Sequence, residues 1–305
     1  MGFDVSTIKG YVQANEKALV GKAVLKTKTA KLFSLQLGVK GSANLNQLTA
    51  SPSLKAGGCG MTADGSTTIS KRVINTALLG VKQSFCVDDL IGTQLENEIK
   101  VGLGLETMPF EQKIIEQNIA EVAKLTENLL WNGDITITGS PYLGLTDGIV
   151  KIMAGETPID ATHAVAKNVV TDAKAVIDAV VAKLPDAILD RDDVTIFAGY
   201  DVVRAYVAQL QAANLYHYTA DLNAEMSIKV PGYNVTLEGI GALNGKKRVY
   251  GTYAENFVLG TDMVSGMEEA KIVTNEVSDL TYLKMKFNVG VQVRFPDLVV
   301  EYKGA

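Results

Sequence analysis

His163 and His217 are the only imidazoles in the chain, so general-base chemistry near neutral pH would have to pass through one of them or through a carboxylate of shifted pKa. Neither stands in a recognisable nucleophile setting, and both read as satisfied surface or core side chains. Asp190, Asp192 and Asp193 cluster as calcium ligands do, but the run lacks the central glycine and distal glutamate of an EF-hand loop. It reads as a solvated turn. The carboxylates of Asp88 and Asp89 point apart because the residues are adjacent, and with Val87, Leu90 and Ile91 they resemble an ordinary helix start. Gly102 and Gly104 form a lone GxG without a third glycine, a clean preceding strand or a ribose-binding acid, and no Walker pattern occurs. Cys59 and Cys86 have neither metal-ligand spacing nor nearby histidines. They read as unpaired thiols, with a bridge between subunits as the alternative. No catalytic residue, metal or cofactor is expected.

Composition narrows the class further. The 305 residues carry 29 basic and 34 acidic side chains, a net charge of −5, which argues against a protein whose main task is gripping phosphates. The charge is unevenly placed: residues 1–40 hold seven lysines (Lys9, Lys17, Lys22, Lys26, Lys28, Lys31, Lys40) against Asp4 and Glu16, so this arm is +5 and the rest −10. Hydrophobic residues make up 47% of the chain, yet no run approaches the roughly 18 apolar residues of a membrane span. Surplus apolar surface is expected to meet other protein. No secretory n-region, h-region and cleavage site is recognisable, so the Asn234-Val235-Thr236 sequon carries no weight.

The elements that organise these residues are long. From Leu283 to Phe295 every odd position is apolar, and Lys284, Lys286, Asn288, Gln292 and Arg294 fill even positions. Such alternation predicts a strand of roughly 43 Å with one buried and one wet face, bent or bulged at Gly290 if anywhere. Phe110 to Trp131 repeats apolar residues near 3.6, opened by Pro109 and stopped by Gly133, which predicts a helix of about 33 Å. The two can lie along one another. Trp131, the single tryptophan, reads as a core plug beside a turn, with an anchor between subunits as the alternative.

Val5, Ile8, Val12 and Leu19 predict an amphipathic arm behind an Asp4 cap. Ser51 to Lys71 is rich in glycine and small polar residues and predicts an extended hairpin-like or mobile loop, whose return limb regains strand character from Thr68 to Phe85. After Gly148 the spacing predicts a helix over Ala164–Leu184. A strand over Val194–Ala198 leads at Gly199 into a second helix, and strands follow over Asn234–Leu237, Arg248–Tyr253 and Phe257–Leu259. No repeat of 20 to 50 residues points to a solenoid.

In this order the elements resemble the major capsid proteins of tailed phages, the Hong Kong 97-type fold that encapsulins share. Two stretches also look familiar: Leu129-Leu130-Trp131-Asn132-Gly133-Asp134 followed by Gly144-Leu145-Thr146-Asp147-Gly148, and Glu255-Asn256-Phe257-Val258-Leu259-Gly260-Thr261-Asp262. The resemblance implies an α+β subunit with an N-terminal arm (1–45), an extended loop (46–84), a peripheral domain of spine helix on long strands (85–149 and 263–305) and an axial α/β domain (150–262). It implies a structural protein, not an enzyme, that self-assembles through hexamers and pentamers into an icosahedral shell around double-stranded DNA. The shell would form in the host cytoplasm and persist in the virion, without membrane contact.

Implied partners are further copies of the chain, a portal, separate scaffolding or auxiliary capsid proteins, and packaged DNA held nonspecifically. Lys55, Lys71, Arg72 and Trp131 are the expected subunit-interface residues; Lys9, Lys17, Lys22, Lys26, Lys28 and Lys31 are the expected basic residues of the arm or inner face. No long scaffolding segment is expected ahead of the arm; scaffolding would come from a separate protein, be unnecessary, or have been removed by processing. Some relatives cross-link a loop lysine to an asparagine, a part Lys55 or Lys71 would play, but no motif marks the asparagine or catalytic acid, and noncovalent assembly is expected. An encapsulin-like compartment enclosing cargo protein is the alternative, and a soluble α/β enzyme a remote one.

Overall fold

The computed structural model describes residues 24, 25, 27–54, 57, 64–86, 110–140, 142–213, 226–262, 269–275 and 280–305. The arm helix over Val5 to Leu19, Lys9, Lys17, Lys22, Lys26, Lys55, Cys59, Asp88, Asp89, Gly102, Gly104 and His217 lie outside the described residues.

The described elements begin with a short helix, α1 (Lys28–Leu32), then β1 (Ser34–Leu37), β2 (Ser42–Pro52), β3 (Gly65–Asn75), β4 (Ala77–Cys86) and the long helix α2 (Phe110–Asn132). They continue with α3 (Ile149–Ala154), β5 (Ile159–Asp160), α4 (Ala173–Ala182), α5 (Asp186–Leu189), β6 (Val194–Gly199), α6 (Tyr200–Ala212), β7 (Ser227–Lys229) and β8 (Thr236–Ile240). Last come β9 (Arg248–Tyr253), β10 (Phe257–Thr261), β11 (Glu269–Asn275), β12 (Leu280–Val293) and β13 (Val300–Lys303).

Three sheets organise these strands. One runs β1-β10-β12-β11 with β4 also on β12, a second runs β5-β13-β9-β6-β8-β7, and β2 pairs only with β3. The 14 residues of β12 form the axis of the first sheet, and its odd positions behave as the alternation requires: Leu283, Met285, Phe287, Val289, Val291 and Val293 are all buried. Against that face lies α2, through Ile115, Ile119, Val122, Leu129 and Leu130, a stripe of one face at helical spacing. The predicted extension of the strand to Phe295 is corrected to Val293, because Pro296 offers no N–H to a ladder and opens a short 3-10 turn.

Gly290 does not bend or bulge the strand. It pairs in register with Gly260 of β10, and the two glycines form the seat on which the base of the β2–β3 hairpin rests. A Cβ on Gly260 would meet the Ile74 side chain at 2.8 Å, and one on Gly290 would run into the Asn75 carbonyl. The glycines are required by a close approach of backbone to sheet.

The second sheet is covered on one face by α4 and α6 through Val176, Ile177, Val180, Val202, Val203, Tyr206 and Leu210. The other face carries Phe197 and Tyr250 into the α2 core. The helix expected over Ala164–Leu184 spans only Ala173–Ala182, because the Asn168 side chain accepts from the N–H groups of Val170 and Thr171 and turns the chain away from helix before it starts. The strand expected at Asn234 begins at Thr236, since Gly232 at φ +83 and the Val230 N–H bonded to the Val235 carbonyl build a turn there.

The sheets exchange chain at two places. β10 pairs with β12, whereas β13, near the C-terminus, pairs with β9. Asn256 secures this exchange: its Nδ2 donates to Thr252 Oγ1 and to the Phe295 carbonyl, and its Oδ1 accepts from the Phe295 N–H at 2.7 Å. Among the described residues no helix is long and apolar enough to cross a membrane.

Candidate functional site

The β2–β3 hairpin joins 11 residue pairs in register from Ser42↔Asn75 to Pro52↔Gly65. Its base is held to the body: Leu45 and Ile74 are buried with Val39 and Val258, and Thr76 and Gly41 exchange hydrogen bonds beneath it. Beyond Gln47, whose Oε1 accepts from the Ser70 hydroxyl, β2 is exposed on both sides, as β3 is before Arg72. Two strands alone do not make a stable sheet in water, and a pair this long needs a third surface. The face formed by Asn44, Asn46, Leu48, Ile69, Lys71 and Val73 carries a shallow groove. Leu48 and Ile69, paired across the strands, are 66% and 68% exposed. Lys71 is exposed on this face.

Arg72 points the other way, because neighbours on a strand face opposite sides. Its guanidinium pairs with Glu156 at 2.5 Å and reaches Gln292 Oε1 at 3.3 Å. Arg72 therefore ties the hairpin to its own chain.

Trp131, expected at a subunit interface, is instead completely buried within its own subunit. Its ring sits among Phe33, Phe197, Tyr250 and Phe257 at centroid distances from 5.6 to 6.2 Å, and its Nε1–H donates to Thr29 Oγ1 at 2.8 Å. Thr29 donates onward to Glu127 Oε1 at 2.9 Å. The core needs the indole volume here, and a buried N–H needs an acceptor.

Lys28, on the same short helix, forms an ion pair with Glu238 Oε2 at 2.7 Å and donates to the Gly239 carbonyl at 2.8 Å. The Ser227 hydroxyl donates to the other carboxylate oxygen at 2.5 Å. Lys28 thus pins α1 to the second sheet, whereas Lys31 is exposed. Helix α1 is a keystone between α2 and both sheets. A five-residue helix cannot stand alone, so these contacts make it.

The loop after α2 closes on itself through the glycines of its two familiar stretches. The Gly148 N–H bonds the Gly133 carbonyl, and the Asp134 N–H bonds the Leu143 carbonyl. Asp147 Oδ1 accepts from the Ile135 N–H at 3.0 Å. Hydrogen bonds from the Thr136 hydroxyl and N–H, then the Lys151 ammonium, hold the Asp134 carboxyl down to about 2. This closure leaves Ile135 and Leu145 on the surface, 60% and 47% exposed, above a cavity of about 220 Å³ whose lining includes Asp147, Asn75 and Val291.

On the even face of β12, Lys284 stands opposite Lys271 of β11 and Lys82 of β4, and Lys82 Nζ lies 4.4 Å from the Tyr282 ring centre. Lys284, Lys286 and Arg294 are half-buried. In the acidic cluster, Asp193 receives two hydrogen bonds from Arg191, which holds its carboxyl below the usual range, and Asp192 accepts from Asn234. His163 Nδ1 lies 3.1 Å from the Tyr302 hydroxyl. Reading along the chain did not single out Lys28, Thr29 and Glu238 as a junction, Gly260 with Gly290 as a seat, or Ile135 and Leu145 as surface. The repeated glycines of the two stretches were the available signal.

No family model matches the chain, and no curated protein matches its sequence. Solved structures do match over nearly its full length. A chain of the satellite phage P4 procapsid that includes the size determination protein superposes with a TM-score of 0.64 at 11% identity, covering 94% of this chain and 97% of that one. A chain of Gordonia phage Cozz gives 0.56 at 14% identity, covering 91% and 86%. The capsid of an empty GTA particle gives 0.53 at 12% identity, covering 93% and 90%. The architecture is the α+β Hong Kong 97-type fold of phage capsid proteins.

Proposed function

We propose that the chain is a major capsid protein that self-assembles into the icosahedral shell of a tailed phage around double-stranded DNA. The observation that carries this reading is the bare outer half of the hairpin, with Leu48 and Ile69 uncovered on one face, projecting from a fold that resembles a phage procapsid chain over 94% of its length. Isolated, such a surface exposes apolar side chains to water; in a shell, an adjacent copy covers it. The first sheet with α2 would be the peripheral domain and the second sheet with α4 and α6 the axial one. Lys71 would face a neighbour, and Lys9, Lys17, Lys22, Lys26 and Lys31 of the arm would face a neighbour or the DNA. Portal, scaffolding and auxiliary proteins would complete the particle, assembled in the host cytoplasm. The role asks for no catalysis, cofactor or metal.

Negative-stain electron microscopy of concentrated recombinant protein tests this. Closed particles or rings of subunits are expected, without a copurified folded cargo protein. A folded cargo protein inside would favour the encapsulin-like compartment, and a monodisperse small oligomer would sink both shell readings.

A further inference from the structure

Among the described residues, two exposed apolar sites carry single charges of opposite sign. The hairpin groove presents Leu48 and Ile69, and Lys71 is the one charged residue lining it. The cavity beside the post-α2 loop presents Ile135 and Leu145, and Asp147 is the one charged residue lining it. Asp147 uses Oδ1 to hold the Ile135 N–H, which leaves its second carboxylate oxygen to meet a cation.

The two sites cannot meet within one subunit. Asn75, at the lip of the cavity, and Lys71 lie on the same strand four residues apart, a fixed separation of roughly 14 Å that a continuous strand cannot fold away. Joining the two sites therefore takes a second copy, and a groove meeting a different patch on the next copy is a head-to-tail contact, which forms a ring where the rotation closes.

We propose that the Leu48–Ile69–Lys71 groove of one subunit docks on the Ile135–Leu145–Asp147 cavity of the next, with the Lys71 ammonium against the Asp147 carboxylate. This rests on the shell reading and specifies where the hairpin lands. Leu48 and Ile69 supply the apolar contact that excludes water, and the single ion pair sets the register. Wrong registers would leave Asp147 facing apolar surface, which disfavours them.

The test is a disulfide trap. In a chain whose Cys59 and Cys86 are replaced by serine, Ile69→Cys with Ile135→Cys should give a ladder of covalent multimers when assembled particles are mildly oxidised, and neither single cysteine should give it. Particles that form but yield no ladder overturn the docking site and leave the shell reading standing; no particles from the unmodified chain overturns both. Independently, Lys71→Glu and Asp147→Lys should each lower particle yield at least tenfold, and their combination should restore it. Asp147→Asn, which retains the acceptor for Ile135 and loses only the charge, should leave subunit stability unchanged and lower yield by less than Asp147→Lys does. Equal loss from the paired and single charge variants, with Asp147→Asn harmless, would remove the ion pair.

Discussion

The indole N–H of Trp131 donates to the hydroxyl of Thr29 at 2.8 Å across 102 positions of sequence. One bond thus joins the end of α2 to the keystone helix. Replacing Trp131 by alanine should cost about 3–5 kcal/mol, as large aromatic deletions do. Replacing it by phenylalanine should cost less, but still about 1–3 kcal/mol, because Thr29 loses a buried partner. Chemical denaturation of unassembled subunits measures both.

Lys28 and Glu238 form a largely buried ion pair, with side chains 14% and 10% exposed. Lys28→Met should destabilise by about 3–5 kcal/mol, since it strands a carboxylate in low dielectric. The double variant Lys28→Met with Glu238→Met should recover most of that loss. A double-mutant cycle showing independent effects would remove the pair from the junction.

Gly290→Ala should dislodge the hairpin base, because the added methyl meets the Asn75 carbonyl and lies 2.9 Å from Thr76 Cα, both backbone. A cost of about 1–3 kcal/mol or more is expected from such overpacking. Limited proteolysis near residues 40–42 and 75–77 should accelerate in the variant. Unchanged cleavage would show that the seat yields.

Arg72 and Lys71 separate stability from assembly. Arg72→Glu sets two carboxylates together at Glu156 and should lower subunit stability by roughly 2 kcal/mol or more. Lys71→Glu, on the open face, should leave the unfolding free energy within about 0.5 kcal/mol of the parent while reducing particle yield. The reverse pattern would exchange the two assignments.

Asp134 gives the post-α2 loop an acid limit. Its carboxyl is held to about 2, against an ordinary value of 3.8. A depressed pKa means that the stabilisation is complete above the unfolded value and is lost as pH falls from about 4 through about 2. The melting temperature of unassembled subunits, compared with Asp134→Asn, should show a constant difference above pH 4 that shrinks toward pH 2. A pH-independent difference would mean the carboxylate is not held.

Much of the fold was legible along the chain because its signals are periodic. The odd positions of β12 and the stripe on α2 each bury one face, and an alternation this long leaves a strand few other registers. The hairpin was legible as an extended loop but not as 11 matched pairs. Helix α4 was overextended at its start because apolar spacing alone does not register the Asn168 side chain competing for backbone N–H groups.

The interface residues were the least legible. Lys71 and Arg72 are neighbours of equal charge, and only the strand's facing sends one to solvent and the other to Glu156. Trp131 by type suits a core plug first and an anchor second, and the aromatic cage from distant segments decides for the core. Periodicity, capping and turn chemistry act over a few residues, so the sequence by itself determined the long strand, the long helix, the hairpin and their order. Which residues meet across the chain depends on volume, close backbone approach and the pairing of buried charge. Only the tertiary structure decided that Gly290 is a seat, Lys28 a latch, and Ile135 with Leu145 an uncovered surface.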